Sequence, residues 1–253
     1  MRSIILAAGR GSRLGGLTDT RPKCLITLAG KTLLAWQLNA LRQAGISEIS
    51  IVRGYQREQL DFNDIYTFDN PRWNETNMVE SLVYADEWLS MDTCIVSYAD
   101  IVYSPEHVGK LIRTIDDIVI TYDTDWNELW KERFENPLDD AETFRVNDNG
   151  LLTEIGSRPT SENEIQGQYM GLVKIGPNGW RNIKKLLSTL PTSQRAKLDM
   201  TGLIALLLKH GIKVSTVPIR GQWLEIDNQN DLSLYERWCA DNLQRIEWLK
   251  TIG

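Results

Sequence analysis

Short apolar runs alternate along the chain with longer stretches in which apolar residues recur at helical spacing. That alternation is the signature of βαβ organisation. Residues 3–7 (SIILA) read as a buried strand that ends in a glycine-bearing loop at 9–16. Residues 32–44 place Leu33, Leu34, Leu38 and Leu41 on one helical face, and Gly45 supplies the stop. A strand is expected at 49–52, a helix at 78–89, a strand at 94–98 (CIVSY) running into Ala99-Asp100, a helix at 106–115 and a strand at 118–122. The pattern then changes. Residues 142–156 and 168–175 (QYMGLVKI) read as longer strands joined by polar, glycine-bearing turns, which predicts an insertion with antiparallel character. Helices are expected again at 177–189 and 199–210, a strand at 213–219, and a long amphipathic C-terminal helix at 229–250. No repeat, low-complexity segment or linker interrupts the chain, so the reading is one α/β domain over 1–253 with a strand-rich excursion at about 123–175.

Composition narrows the function classes. Of 253 residues, 42% are hydrophobic and 25% charged, enough to bury a sizeable core. A net charge of −6 argues against a general nucleic-acid surface, which needs clustered Lys and Arg. No apolar run is long enough to span a membrane, and the apolar stretch before Gly9 reads as too short for a signal peptide. Cys24, Cys94 and Cys239 are odd in number and widely spaced, which suggests neither a disulfide framework nor a metal motif. A reducing cytoplasm is the expected location.

Against that acidic background one stretch is locally basic. The loop Leu6-Ala7-Ala8-Gly9-Arg10-Gly11-Ser12-Arg13-Leu14 directly follows the first strand, and Arg21 and Lys23 lie just beyond it. Small residues let backbone N–H groups approach an anion, with Gly9 and Gly11 free to adopt positive φ. The loop is neither a Walker motif, which needs GxxxxGK[ST], nor a dinucleotide fingerprint, because Leu14 stands where a third glycine belongs. Four cations beside such a nest suit a triphosphate.

LAAGRGSRL followed by RPKCLITLAGKTLL resembles the opening of the nucleotidylyltransferases that activate phosphorylated sugars and alcohols. The resemblance implies a Rossmann-like α/β domain related to the GT-A glycosyltransferases, with a mixed, mostly parallel sheet. It implies that Leu6, Ala7, Ala8, Gly9, Arg10, Gly11 and Ser12 cradle the nucleotide, and that Arg13 and Lys23 hold its α- and β-phosphates. It also implies that Asp100, just past the CIVSY strand, and Asp227 in Trp223-Leu224-Glu225-Ile226-Asp227 bind a catalytic Mg²⁺, with Ala99 beside the nucleotide and Glu225 a weaker candidate. Hard oxygen ligands with nucleotide phosphates are the usual Mg²⁺ environment. The stretch Asn74–Leu82 (NETNMVESL) resembles the segment near the base in phosphocholine cytidylyltransferases, which points to Asn77 and Ser81 and favours CTP.

Segments such as 97–103, 120–126 and 167–175 resemble nucleotidylyltransferase regions associated with phosphonate biosynthesis. The acceptors this implies are 2-aminoethylphosphonate, phosphocholine or a similar small phosphate ester; an amide- or amino-acid-derived phosphate satisfies the same logic. Among nine tryptophans, Trp36 and Trp238 fall at core-packing positions. Trp126, Trp130, Tyr169 and Trp223 lie near expected site loops, where aromatic faces can bind an ammonium group. Asp123 and Asp125 offer a counter-charge for an acceptor amine, and Arg158 a grip on its phosphoryl group. His107 and His210 read as surface histidines.

The expected activity is a Mg²⁺-dependent cytidylyltransferase that transfers CMP from CTP and releases pyrophosphate. Its expected partners are CTP and the acceptor, without nucleic acid or membrane, and with a homodimer left open. Two rivals stand beside it. A sugar-1-phosphate nucleotidylyltransferase shares the glycine loop, but Ser157-Arg158-Pro159 stands where those enzymes carry E-K-P. A non-catalytic nucleotide sensor would lack the cations and carboxylates that this chain retains.

Overall fold

In the computed structural model, which describes residues 1–252, every residue of the first apolar run is buried because its strand lies inside a sheet covered on both faces. Seven strands form that sheet: β1 (Arg2–Ala7), β2 (Ile49–Arg53), β3 (Tyr66–Asp69), β4 (Cys94–Tyr98), β5 (Ile118–Asp123), β6 (Gln168–Ile175) and β7 (Ser215–Ile219). Their spatial order is β7-β5-β6-β4-β1-β2-β3, and β6 alone runs antiparallel to its neighbours. Successive side chains of a strand point to opposite faces. Ile5 and Ala7 therefore join one apolar layer, Ile4 and Leu6 the other.

The first layer packs under α1 (Leu33–Gln43), and the second under α2 (Met78–Val83) and α3 (Asp86–Met91). Helix α4 (Pro105–Ile112) joins β4 to β5, and α5 (Trp126–Arg133) follows β5. Helices α6 (Pro177–Ser188), α7 (Thr192–Lys197) and α8 (Met200–Lys209) connect β6 to β7. Helix α9 (Gln229–Ala240) and the short α10 (Leu249–Ile252) close the chain. The chain leaves β1 toward β2 on one side and pairs with β4 on the other. This reversal of strand order opens a crevice at the carboxyl ends of β1 and β4.

Several expected elements differ. The segment 123–175 begins with α5, not a strand, and its only hairpin is Phe144–Val146 with Leu152–Ile155. The strand 168–175 belongs to the central sheet, where Gly171 at φ +75 lets the backbone lie against the Tyr98 ring. The helix expected over 78–89 breaks at Tyr84–Ala85, where the ladder tightens to a bond from Tyr84 N–H to Ser81 O. The long C-terminal helix stops at Ala240 because Asn242 turns into the left-handed region at φ +50. Trp36 and Trp238 are core residues, as their spacing predicts. His210 is exposed, but His107 is not: it is buried on the inner face of α4, with Nδ1 unpartnered. Among the described residues no helix is long and apolar enough to cross a membrane.

Burial lowers the His107 pKa from 6.5 to about 3, with the Lys110 charge adding to the effect. The folded value is depressed, so between these two pH values the unfolded chain binds the extra proton and stability falls as pH falls. From pH 7 to pH 5 this one group is expected to remove about 2 kcal/mol. Urea unfolding at the two pH values should show that loss in the wild type and a smaller one in His107→Leu. Equal losses in the two proteins would refute the assignment.

Candidate active site

The crevice at the switch point holds a cavity of about 230 Å³. Its floor is the end of β1 and the loop after it: Leu6, Ala7, Ala8, Gly9 and Gly11. The N–H groups of Gly9, Arg10 and Gly11 donate to no protein acceptor among the described residues, which leaves three backbone donors free for an anion. Of the two glycines free to adopt positive φ, Gly11 does so at φ +72 and Gly9 does not. The loop then winds through a 3₁₀ segment, Ser12–Thr18. Leu14 anchors that segment in the core, the Thr18 hydroxyl donates to Gly11 O and Gly15 O, and Gln229 at the start of α9 donates to Leu14 O.

Two carboxylates meet across the cavity because two short strands pair. Ile101–Tyr103, just after β4, runs antiparallel to Trp223–Glu225, with Glu225 opposite Ile101. Ile226 N–H donates to Asp100 O at 3.0 Å, so Asp100 and Asp227 flank one junction. The Lys23 ammonium fills the gap, 2.7 Å from Asp100 Oδ2 and 3.1 Å from Asp227 Oδ1. Arg13 reaches the same Asp227 oxygen at 2.8 Å while its side chain stays 68% exposed, free to swing toward a ligand. Burial disfavours the Lys23 charge, but the charges of Asp100 and Asp227 outweigh it and hold the pKa above the ordinary lysine value.

These residues fit a divalent cation. Asp100 Oδ1 is buried with no hydrogen-bond partner, and Asp227 adds a second hard oxygen donor. Magnesium commonly binds through one or two carboxylates plus substrate phosphates rather than a closed protein cage. Among the described residues there is no cluster of three or more candidate ligands.

The far wall carries Trp73, Thr76, Asn77, Met78 and Ser81. Ser81 Oγ accepts from Asn70 Nδ2 at 2.9 Å, and Asn77 caps α2. Ala99 lines the cavity as well. Arg10 and Ser12 do not: Arg10 turns aside to pair with Asp19 at 2.7 Å over the Tyr55 ring. Sequence reading missed Trp73, whose ring packs against Gly54 and Tyr55 from a loop with no local pattern.

The expected aromatic cage does not form. Trp126, Trp130 and Trp223 are buried, with Trp126 edge-on to Trp130 at 6.0 Å between ring centroids and Trp223 tilted against Trp130 at 6.2 Å. Asp123 is buried too: it accepts from Trp223 Nε1 at 2.8 Å and from the N–H groups of Asp125 and Gly221. These four belong to the fold, because large indoles on α5 bury more apolar area inward than a solvent-facing cage would allow. Arg158 is exposed on a turn and does not line the cavity. Tyr169 is half-buried and edge-on to Tyr98 at the end of β4, and it does not line this cavity either.

A residue that no local pattern marks sits behind Asp227. The Arg133 side chain is fully buried, and Nε and Nη2 donate to Asp231 Oδ1 and Oδ2 at 3.0 and 3.2 Å. Nη1 donates to Glu225 Oε2 at 3.1 Å, and Nη2 lies 3.6 Å from Asp227 Oδ2. Burial raises the Glu225 pKa, and the Asp227 charge raises it further. Sequence reading missed Asp231 as well, although Asn228 and Asp231 form a capping box at the start of α9, a spacing that could have marked it.

A methyl group at Gly11 would sit 2.9 Å from Lys23 Cβ and Cδ, in a backbone conformation that costs a non-glycine residue about 1–2 kcal/mol. Because Lys23 is packed between two carboxylates it cannot yield cheaply. Gly11→Ala is expected to cut nucleotide affinity at least ~10-fold, about 1.4 kcal/mol, whereas Gly9→Ala, which meets nothing within 4 Å, leaves stability unchanged. Calorimetric titration with CTP and thermal melts would check both; wild-type affinity in Gly11→Ala would contradict the packing argument.

Residues 3–155 match the MobA-like NTP transferase domain family. The chain is 34% identical to a CTP:phosphoglutamine cytidylyltransferase from Campylobacter jejuni, over 92% of this chain and 98% of that protein. It is 27% identical to a bifunctional sugar-1-phosphate nucleotidylyltransferase/acetyltransferase from Sulfurisphaera tokodaii, over 96% of this chain but 56% of the longer protein. Among solved structures, the inositol-1-phosphate CTP transferase from T. maritima superposes with a TM-score of 0.75 at 18% identity, over 99% of this chain and 95% of that one. The expected fold class, a mixed and mostly parallel α/β sheet of the nucleotidyltransferase kind, is therefore the observed one. The chain is a nucleotidyltransferase and belongs to the MobA-like NTP transferase family.

Proposed function

We propose that this protein is a Mg²⁺-dependent cytidylyltransferase that transfers CMP from CTP to a small phosphate- or phosphonate-bearing acceptor. The observation that carries the reading is the Lys23 ammonium buried between Asp100 and Asp227 beneath three free backbone donors, with Arg13 at the rim. That arrangement suits a bound triphosphate. The triphosphate lies over residues 9–13, and the base rests toward Asn77 and Ser81. CTP is favoured because the relative similar over nearly its whole length is named for it. An amide-derived phosphate such as phosphoglutamine leads the acceptor list for the same reason, ahead of 2-aminoethylphosphonate and phosphocholine. The widely spaced free thiols suit a cytoplasmic setting.

An oxygen of the acceptor's phosphoryl group attacks the α-phosphorus of CTP in line. The bond from that phosphorus to the bridging oxygen breaks, and its electron pair leaves with pyrophosphate. The acceptor is already anionic near neutral pH, so no base is required. Lys23 and Arg13 neutralise the charge that grows on the departing phosphates. Asp100 and Asp227 would hold the metal, which when bound polarises phosphoryl oxygens and lowers charge repulsion. The acceptor enters over Tyr98 and Tyr169; burial raises the Tyr98 pKa, and the neighbouring Tyr169 raises it further.

Pyrophosphate release should be fastest with CTP in a panel of nucleotides, paired with phosphoglutamine, 2-aminoethylphosphonate, phosphocholine and glucose 1-phosphate. Release with glucose 1-phosphate alone would move the reading to a sugar nucleotidylyltransferase. Arg13→Ala should lower kcat about 10²–10³-fold without changing the thermal midpoint. Lys23→Ala should lose at least as much activity, and also stability, because Asp100 is left unpaired and Asp227 loses one of its cations. Near-wild-type turnover in either variant would remove that residue from the mechanism. Tyr169→Phe should raise KM for the acceptor and spare KM for CTP, a split visible in steady-state kinetics.

A further inference from the structure

We propose that Arg133 is a positioning residue for Asp227, an inference that rests on the metal-binding role given to Asp227 above. The two oxygens of Asp227 face different groups. Oδ1 takes Lys23 and Arg13 on the cavity side, while Oδ2 faces the Arg133 guanidinium at 3.6 Å, inside ion-pair range but beyond hydrogen-bond reach. The stronger link is indirect. Arg133 grips Asp231 with two donors, and Asp231 Oδ2 accepts from the N–H groups of Asp227 at 2.9 Å and Asn228 at 3.2 Å. The guanidinium thus fixes the carboxylate that in turn fixes the peptide from which Asp227 projects.

A third donor holds Glu225, the last residue of the short strand and two residues before Asp227. Without the cation, Glu225, Asp227 and Asp231 would crowd one buried junction with like charge, and Asp227 would turn away from its neighbours. The guanidinium is itself held, 5.1 Å from the Trp130 ring centroid and 5.0 Å from that of Phe134. The buried indoles of Trp126, Trp130 and Trp223 therefore support the site from behind rather than lining it. Planar, two-pronged donation to a carboxylate is a property of arginine that lysine cannot reproduce.

The test compares wild type with Arg133→Lys, Asp231→Asn and Asp227→Asn. One readout is Mn²⁺ binding in the presence of CTP without acceptor, followed by water proton relaxation. The other is steady-state kinetics at a temperature where thermal melts show each variant folded. Arg133→Lys and Asp231→Asn are expected to weaken Mn²⁺ binding about 10–100-fold, as loss of a group that orients a metal ligand does. They should lower kcat by a similar factor and leave KM for the acceptor within about twofold. Asp231→Asn keeps the shape and an acceptor for Asp227 N–H, so it carries the test if Arg133→Lys does not fold. Wild-type Mn²⁺ affinity and kcat in both, with binding lost in Asp227→Asn, would overturn the positioning role alone. Undiminished Mn²⁺ binding in Asp227→Asn would overturn the role of Asp227, and the proposal with it.

Discussion

Burying an ammonium group is unfavourable unless carboxylates meet it, and Lys23 is met by two. Much of the site follows from satisfying that one charge. Asp100 sits where β4 ends and Asp227 where the Trp223–Glu225 strand ends, so the cation ties together segments far apart in sequence. The same group anchors the loop after β1, whose Gly11 passes against the Lys23 stem with no room for a side chain. An anion arriving at that loop would meet free backbone donors and two cations whose carboxylate partners are already in place. Such preorganisation is how phosphoryl-transfer sites obtain most of their effect.

Behind this charge cluster lies a second, drier one. Arg133 answers Glu225 and Asp231 in a region where its side chain has no contact with water. Three tryptophans and Phe134 supply the dry wall. Residues that looked like a ligand cage by composition thus belong to the scaffold. Indole rings in a sequence carry no label for the direction in which they point. On α5 the inward direction wins because it removes more apolar surface from water.

The division between what was readable and what was not follows from range. Strand and helix periodicity is local, so β1, α1, β4, β5, α6 and α8 were legible to within a few residues, and so was the glycine loop. The pairing of Arg13, Lys23, Asp100 and Asp227 was legible only through family resemblance, since nothing in their spacing brings them together. The split of 78–89, the early end of the last helix and the helix at Trp126–Arg133 depended on packing and on single turn residues such as Asn242.

Apolar periodicity by itself specified a sheet with both faces covered, because a strand whose every residue is apolar must be buried on two sides. Composition likewise specified an acidic chain with one basic loop that suits a phosphate. Which charges face one another was settled only in three dimensions. The antiparallel pairing of Trp223–Glu225 with Ile101–Tyr103 sets Asp227 beside Asp100, and a helix from a different segment delivers Arg133 behind them. Such contacts are long-range, and their energies depend on burial and distance, neither of which a linear sequence contains.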